Sequence, residues 1–367
     1  MLHNPPTSAS TISNQNRTRS APLFASPVIG FYRVPMLIDA IASETVLEEA
    51  FAWLCRRRRN YPASADIWSF RRDWAVLKPR IKRSVRSGRY RFEVLDPVSL
   101  RDGSKIDLWS AQNALVLKAL SISLGTVLPV SAKCTHIRGN GGAKAALRQV
   151  AAHVPSNDYV LRTDVKSYYA SIDHRPLLDR LALHIRDQFV INLLSQYMLR
   201  TICDGGNFID IERGISLGCP LSPLMATFFL HELDQQFDHS DVFYVRFMDD
   251  ILILAPTRWK LRKAVARVNR VLSALRLTTH PDKTFIGHSA KGFDFLGYHF
   301  FDGALCAAKT TTRKMAEKAA RLYEQKGHRS QPTPPILKSR AVSDTLERMV
   351  PRWSMRHRVT RLVSSSA

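Results

Sequence analysis

The sequence predicts an α+β fold, and three observations carry that prediction. "YVRFMDDILIL", residues 244 to 254, sets Asp249 and Asp250 between two apolar runs in the order strand, short turn, strand. "YVLRTDVKSYYASID", residues 159 to 173, opens as a further strand over Tyr159, Val160 and Leu161. Helical spacing of apolar residues fills long stretches before and after these strands.

Taken in order, residues 1 to 35 are rich in Ser, Thr, Asn and Pro, contain no acid and show no period, which reads as a disordered leader without an apolar signal region. Met36 is a candidate start. "MLIDAIASETVLEEAFAWLCRRRR" then places Ile41, Val46, Leu47, Ala50 and Leu54 at helical spacing. "FRRDWAVLKPRIKRSVRSG" is a second basic helix, expected to divide at Pro79. "GRYRFEVLDPVSLRDGSKIDLW" reads as strand, Asp-Gly turn and strand, with Arg101 and Lys105 at a basic tip that either holds phosphate or decorates an exposed turn. "SAQNALVLKALSISLG" returns to a helix. Past Tyr298, "TTRKMAEKAARLYEQKG", "ILKSRAVSDTLERM" and "RWSMRHRVTRLV" read as three basic helices separated by "QPTPP" and Pro351, with Arg352, Arg356 and Arg358 available to phosphates.

A chain of 367 residues is long enough for one large domain or two to three small ones. No apolar run approaches the roughly 18 residues of a membrane span, so a cytoplasmic protein is expected. The five cysteines contain no C-x-x-C, which indicates neither a disulfide framework nor a zinc knuckle. "HELDQ" is not H-E-x-x-H, which excludes a zinc protease of that type.

The net charge of +23 is unevenly placed: residues 56 to 91 carry 13 Lys/Arg against 2 Asp, and residues 303 to 367 carry 14 against 4 acids. A nearly neutral centre with acidic motifs between basic flanks suits a polyanion clamp around a metal-dependent core. Alone, the Asp249–Asp250 pair reads either as a polar hairpin turn or as half of a metal site. Asp164, delivered at the end of the Tyr159 strand, adds a third acid, and the two elements converge if their strands share a sheet. Three carboxylates at one sheet end suit two Mg²⁺ ions in phosphoryl transfer.

Here the chain resembles the reverse transcriptases, from about residue 45 to residue 300. "TDVKSYYASIDH" is similar to their first catalytic motif, "RGISLGCPLSPLMATFFLHELD" to the template and nucleotide loop with its helix, and "FMDD" to their Y/F-x-D-D hairpin. "HPDKTF" and "FDFLGYHF" resemble the lysine-bearing segment and the primer grip. The central loop is closest to group II intron types, whereas the retron signatures Asn-Ala-x-x-His and Val-Thr-Gly are absent.

The resemblance implies a right-hand polymerase: leader 1–35, N-terminal extension and hairpin fingers 36–158, an antiparallel-sheet palm 159–300 and a short helical thumb 301–367. It implies RNA-templated transfer of dNTPs to a DNA or RNA primer, with two Mg²⁺ ions, or Mn²⁺, held by Asp164, Val165, Asp249 and Asp250. Tyr169 stands at the position that excludes a ribose 2′ hydroxyl, beside Val165, Gly218, Lys105 and Arg101 as nucleotide contacts. Lys283 matches the lysine that protonates pyrophosphate. Phe295, Leu296, Gly297 and Tyr298, with Arg352 and Arg356, match primer and template contacts.

The central loop departs from the family, with Ser216 and Leu217 where most members have Pro-Gln and Thr227 where Asn is usual. A dedicated non-coding RNA is a further expected partner, in a mobile element or a defence system. The other readings are a maturase-like RNA-binding scaffold and an untemplated or RNA-synthesising transferase on the same palm.

Overall fold

The computed structural model describes residues 36–99 and 105–327. The leader, Arg101, the last two predicted helices and Arg352, Arg356 and Arg358 lie outside the described residues, as does the side chain of Lys105. One compact unit begins at Met36.

The first predicted helix is two, α1 (Leu37–Ile41) and α2 (Glu44–Arg57). Ser43 separates them because its hydroxyl serves as a cap, accepting the Val46 N–H at 3.3 Å. The second is also two, α3 (Asp66–Arg72) and α4 (Trp74–Arg86), but the break falls at Asp73 and not at the expected Pro79. Pro79 lies within α4 on its exposed side, where water can serve the carbonyl of Ala75 that loses its partner. Three of the five cations of α4 are matched by acids of α1 and α2: Lys78 pairs with Glu44 and with Glu48 at 2.9 Å, Lys82 with Glu44 at 3.7 Å, and Arg86 with Asp39 at 2.9 Å.

β1 (Asp96–Ser99) and β2 (Lys105–Leu108) form the expected antiparallel pair, with Val98 opposite Ile106. α5 (Ala111–Leu124) is capped by Ser110, ends at Gly125 and is buried on nearly all sides. α6 (Gly142–His153) then leads to β3 (Tyr159–Thr163). Next come α7 (Tyr168–Ser171), α8 (His174–His184), α9 (Gln188–Met198) and a hairpin of β4 (Thr201–Asp204) and β5 (Asn207–Asp210) around Gly205-Gly206. α10 (Ser222–Phe229), with Pro223 in its first turn, and α11 (His231–Gln235) precede β6 (Phe243–Phe247) and β7 (Asp250–Ala255). α12 (Arg258–Ala274), β8 (Phe285–His288), β9 (Phe293–Phe295), β10 (Tyr298–Phe301), β11 (Ala304–Ala307) and α13 (Lys309–Gly327) complete the described chain.

The sheet that matters runs β6-β7-β3-β8, antiparallel throughout. Strand alternation divides its side chains. Leu161, Ile251 and Ile253 enter the main core with α10 and α12, while Val160, Leu252 and Leu254 face a second apolar cluster built by α6, Phe293, Phe295 and Phe300. With apolar contacts on both faces, the sheet offers polar chemistry at its strand ends.

Candidate active site

The sheet register brings the acids together. Thr163 lies opposite Ile251, so Asp164, one residue past β3, comes beside Asp250 at the start of β7. Asp249 occupies the two-residue turn between Phe247 and Asp250. Its carboxyl contacts that of Asp164, and burial first, then this neighbour, raises it from the ordinary 3.8 to about 7. Two carboxylates in contact cannot both ionise without a cation. Asp250 is raised as well, by burial and by the charge of Asp164, but it faces Arg162 at 3.7 Å. Thus the structure joins Asp164 and Asp249 directly and leaves Asp250 at the side.

The positive φ of the turn, +56°, belongs to Met248 and not to either acid. A side chain in the left-handed region is costly, and glycine is usual at the first turn position. Both ends of the Met248 residue are held instead: its N–H donates to His136 Nδ1 at 3.1 Å, and its carbonyl accepts Arg246 Nη1 at 2.6 Å. Burial pushes His136 down to about 4, leaving a neutral ring whose Nε2–H donates to Thr227 at 3.0 Å. Arg246, fully buried, grips Asp234 through Nε at 2.8 Å and Nη2 at 2.5 Å, and Tyr244 donates to the same carboxylate at 2.7 Å. The sequence alone marks no role for His136, Asp234 or Arg246. The one signal available was an arginine written into an apolar strand, with an acid in the neighbouring "HELD".

Tyr168 and Tyr169 sit on the short helix α7, so helical geometry and not strand alternation separates them. Tyr168 is buried and donates to the Ala226 carbonyl at 2.5 Å. Tyr169 is half-buried, and burial followed by the charge of Asp249 raises its phenol, which places it near that carboxyl. Behind it the central loop approaches closely: Ile215 N–H donates to the Tyr169 carbonyl at 2.8 Å, and a Cβ on Gly214 (φ +89°) would meet the Ala170 backbone at 2.9 Å. Ser216 is wholly buried and accepts Trp109 Nε1–H at 2.8 Å, a structural part, while Leu217 is exposed. Gly218 has φ +88° with open space where a side chain would be.

Lys283 lies directly on Asp164, and that contact raises its ammonium. Val165 is buried, so its backbone alone is available, and it bridges to Thr279. Phe295 is buried completely in the second cluster, which removes its side chain from any primer. Leu296 and Gly297 form the β9–β10 turn, both with positive φ, and the Gly297 carbonyl accepts Ala308 N–H at 3.0 Å and Thr311 Oγ1 at 2.9 Å. That tip is therefore fastened to the start of α13.

Among the described residues no group of three or more His, Cys, Asp or Glu stands ready to hold a metal ion, so the expected three-carboxylate cluster is not assembled. The physical reason lies in the ion pairs, since Arg162 faces Asp250 and Lys283 occupies Asp164. The donor set nevertheless fits a hard divalent cation, because Asp164 and Asp249 present carboxylate oxygens in mutual contact that only positive charge lets ionise together. Also among the described residues, no helix is long and apolar enough to cross a membrane.

Protein YkfC of Escherichia coli (strain K12) is 26% identical over 175 residues, covering 38% of this chain and 46% of that protein. The retrovirus-related Pol polyprotein from type-1 retrotransposable element R2 of Nasonia vitripennis is 27% identical over 139 residues, covering 34% and 14%. Group II intron-encoded protein LtrA of Lactococcus lactis subsp. cremoris is 26% identical over 123 residues, covering 33% and 20%. The chain spans less than half the length of each of these curated relatives. A solved chain titled "Partial Cas6-RT-Cas1--Cas2 complex" superposes with a TM-score of 0.40 at 17% identity, covering 66% of this chain and 42% of that one. The model of the family described as reverse transcriptase (RNA-dependent DNA polymerase), a family that generally depends on divalent metal, matches residues 113–300. That match takes in more than half of the sequence, together with the acids, the turn and the central loop, and the chain belongs to the reverse transcriptase family.

Proposed function

We propose that the chain is an RNA-directed DNA polymerase of right-hand architecture, with fingers over residues 36–158, a palm over 159–300 and a thumb from 301. The observation that carries this reading is the contact of Asp164 with Asp249 at adjoining strand ends, beside Tyr169. The two carboxylates, with the Val165 backbone and with Asp250 in support, would hold two Mg²⁺ or Mn²⁺ ions, whose charge would acidify a primer 3′ hydroxyl and steady a triphosphate. The Tyr169 ring fills the space a ribose 2′ hydroxyl needs, which selects dNTPs. Lys283, once off Asp164, keeps the proton on Nζ that pyrophosphate takes on leaving. Leu296, Gly297 and Tyr298 seat the primer against the RNA template, and a dedicated non-coding RNA in the cytoplasm is the remaining partner.

Primer extension on a defined RNA template with Mg²⁺ tests this, comparing dNTPs with NTPs and the wild type with Asp249→Ala. Extension by dNTPs alone, abolished in the variant, is expected. Extension with NTPs at equal rate would overturn the role of Tyr169, and extension by the variant would overturn the metal site.

A further inference from the structure

α12 carries six cations, Arg258, Lys260, Arg262, Lys263, Arg267 and Arg270, and no acid. Lys260 pairs with Asp241 at 2.7 Å, and Arg267 donates to the Gln236 carbonyl at 2.8 Å. Among the described residues no carboxylate lies at ion-pair distance from the other four, and Lys263 feels Asp241 only through its charge, whereas on α4 Lys78, Lys82 and Arg86 meet acids of α1 and α2. Trp259 stands 63% exposed beside them, with Lys263 over its ring at 5.4 Å. Trp259, Arg262, Lys263 and Arg270 follow three- and four-residue spacing, so they share one outward stripe.

This charge works against the helix. Arg258 with Arg262 and Lys263 with Arg267 are like charges four apart, and Arg258 and Lys260 occupy the end where the helix dipole disfavours cations. The inner face, Leu261, Ala264, Val268, Val271 and Leu272, holds α12 on β3 and β7 despite this. Solubility is served by interspersed signs, whereas a single-sign stripe carrying an exposed aromatic matches the chemistry of single-stranded nucleic acid. The stripe also begins away from the acids. β7 leads from Asp250 to Ala255 before α12 starts, which puts Trp259 about 20 Å from the strand ends.

We infer that the outer face of α12 is a second RNA-binding surface, with strand phosphates on Arg262, Lys263 and Arg270 and a base stacked on Trp259. It stands apart from the polymerase reading, because it rests on residues outside that site. The test is poly(U) RNA binding by fluorescence anisotropy across a salt series, with the full chain and Arg262→Gln/Lys263→Gln/Arg270→Gln. These changes remove repulsion within the helix, so the variant is expected to melt no lower than the wild type. The expected result is roughly tenfold weaker poly(U) binding and a log–log salt slope shallower by about 2. Extension of a short primed template should keep its rate, and Trp259→Ala should weaken binding several-fold even at high salt. Unchanged poly(U) affinity and slope would overturn the inference. So would loss of binding to phosphatidylserine vesicles alone, with RNA binding intact. Failure of extension in the wild type would count against the polymerase reading and leave the binding comparison standing.

Discussion

At the scale of single residues, the turn that carries Asp249 depends on groups set behind it. Met248 holds a conformation suited to glycine because His136 and Arg246 take up its N–H and carbonyl. His136→Ala should lower kcat about three- to tenfold, the equivalent of one buried hydrogen bond. In a Met248→Gly background the same change should cost less, because the strain it restrains is gone. Equal losses in both backgrounds would remove His136 from this role. The turn also sets a pH dependence. Asp249 is held near 7, so in the metal-free protein its contribution to stability is full below about pH 4 and lost as pH rises toward 7. Metal must displace that proton, so the Mg²⁺ needed for half-maximal extension should fall between about pH 6 and pH 7 and level off above. A flat requirement across that range would contradict it. The acids themselves were legible in "FMDD" and "RTD", since two carboxylates beside apolar strands need a reason. The conformation of Met248 was not, because its support arrives from His136, 112 residues away in sequence.

At the scale of elements, the β6–β7 hairpin is fastened to α11 by one buried ion pair, Arg246 with Asp234, neither of which is exposed to solvent. Removing one partner strands a charge. Asp234→Leu should therefore cost about 3–5 kcal/mol in urea unfolding, and Arg246→Met in the same chain should restore most of it. A loss under 1 kcal/mol for the single change would mean that water reaches the guanidinium. Helices and strands with strong periods, such as α5 and β3, were legible, and the ends of α5 followed from Ser110 and Gly125. The break at Asp73 was not, because proline is the louder signal although its exposed position on α4 made it harmless.

At the scale of the whole molecule, the charge of the sequence and the charge of the fold differ. The stretch from residue 56 to 91 looks strongly basic along the chain, yet three of the five cations of α4, Lys78, Lys82 and Arg86, are matched in space by Asp39, Glu44 and Glu48. α12 hides within a centre whose net charge is small, because acids elsewhere in that segment offset its cations in a sum but not in space. Cations dominate the binding of polyanions, so Asp249→Ala should leave RNA affinity within a few-fold of the wild type while ending synthesis. A tenfold loss of affinity in that variant would show that the acids help to hold RNA.

The order of strands in the central sheet has a consequence for how the protein is made. Among the described residues β3 pairs with β7 and β8 and with no strand that precedes it, so Thr163 must wait until Ile251 has been synthesised. At ordinary translation speeds that interval is roughly 4 to 18 seconds. Throughout it, Val160 and Leu161 lack the strands that will cover them, while α2 and α5 already have each other. The yield of active protein in a host should therefore depend on elongation rate and on chaperone supply, through the late arrival of the same hairpin that completes the site.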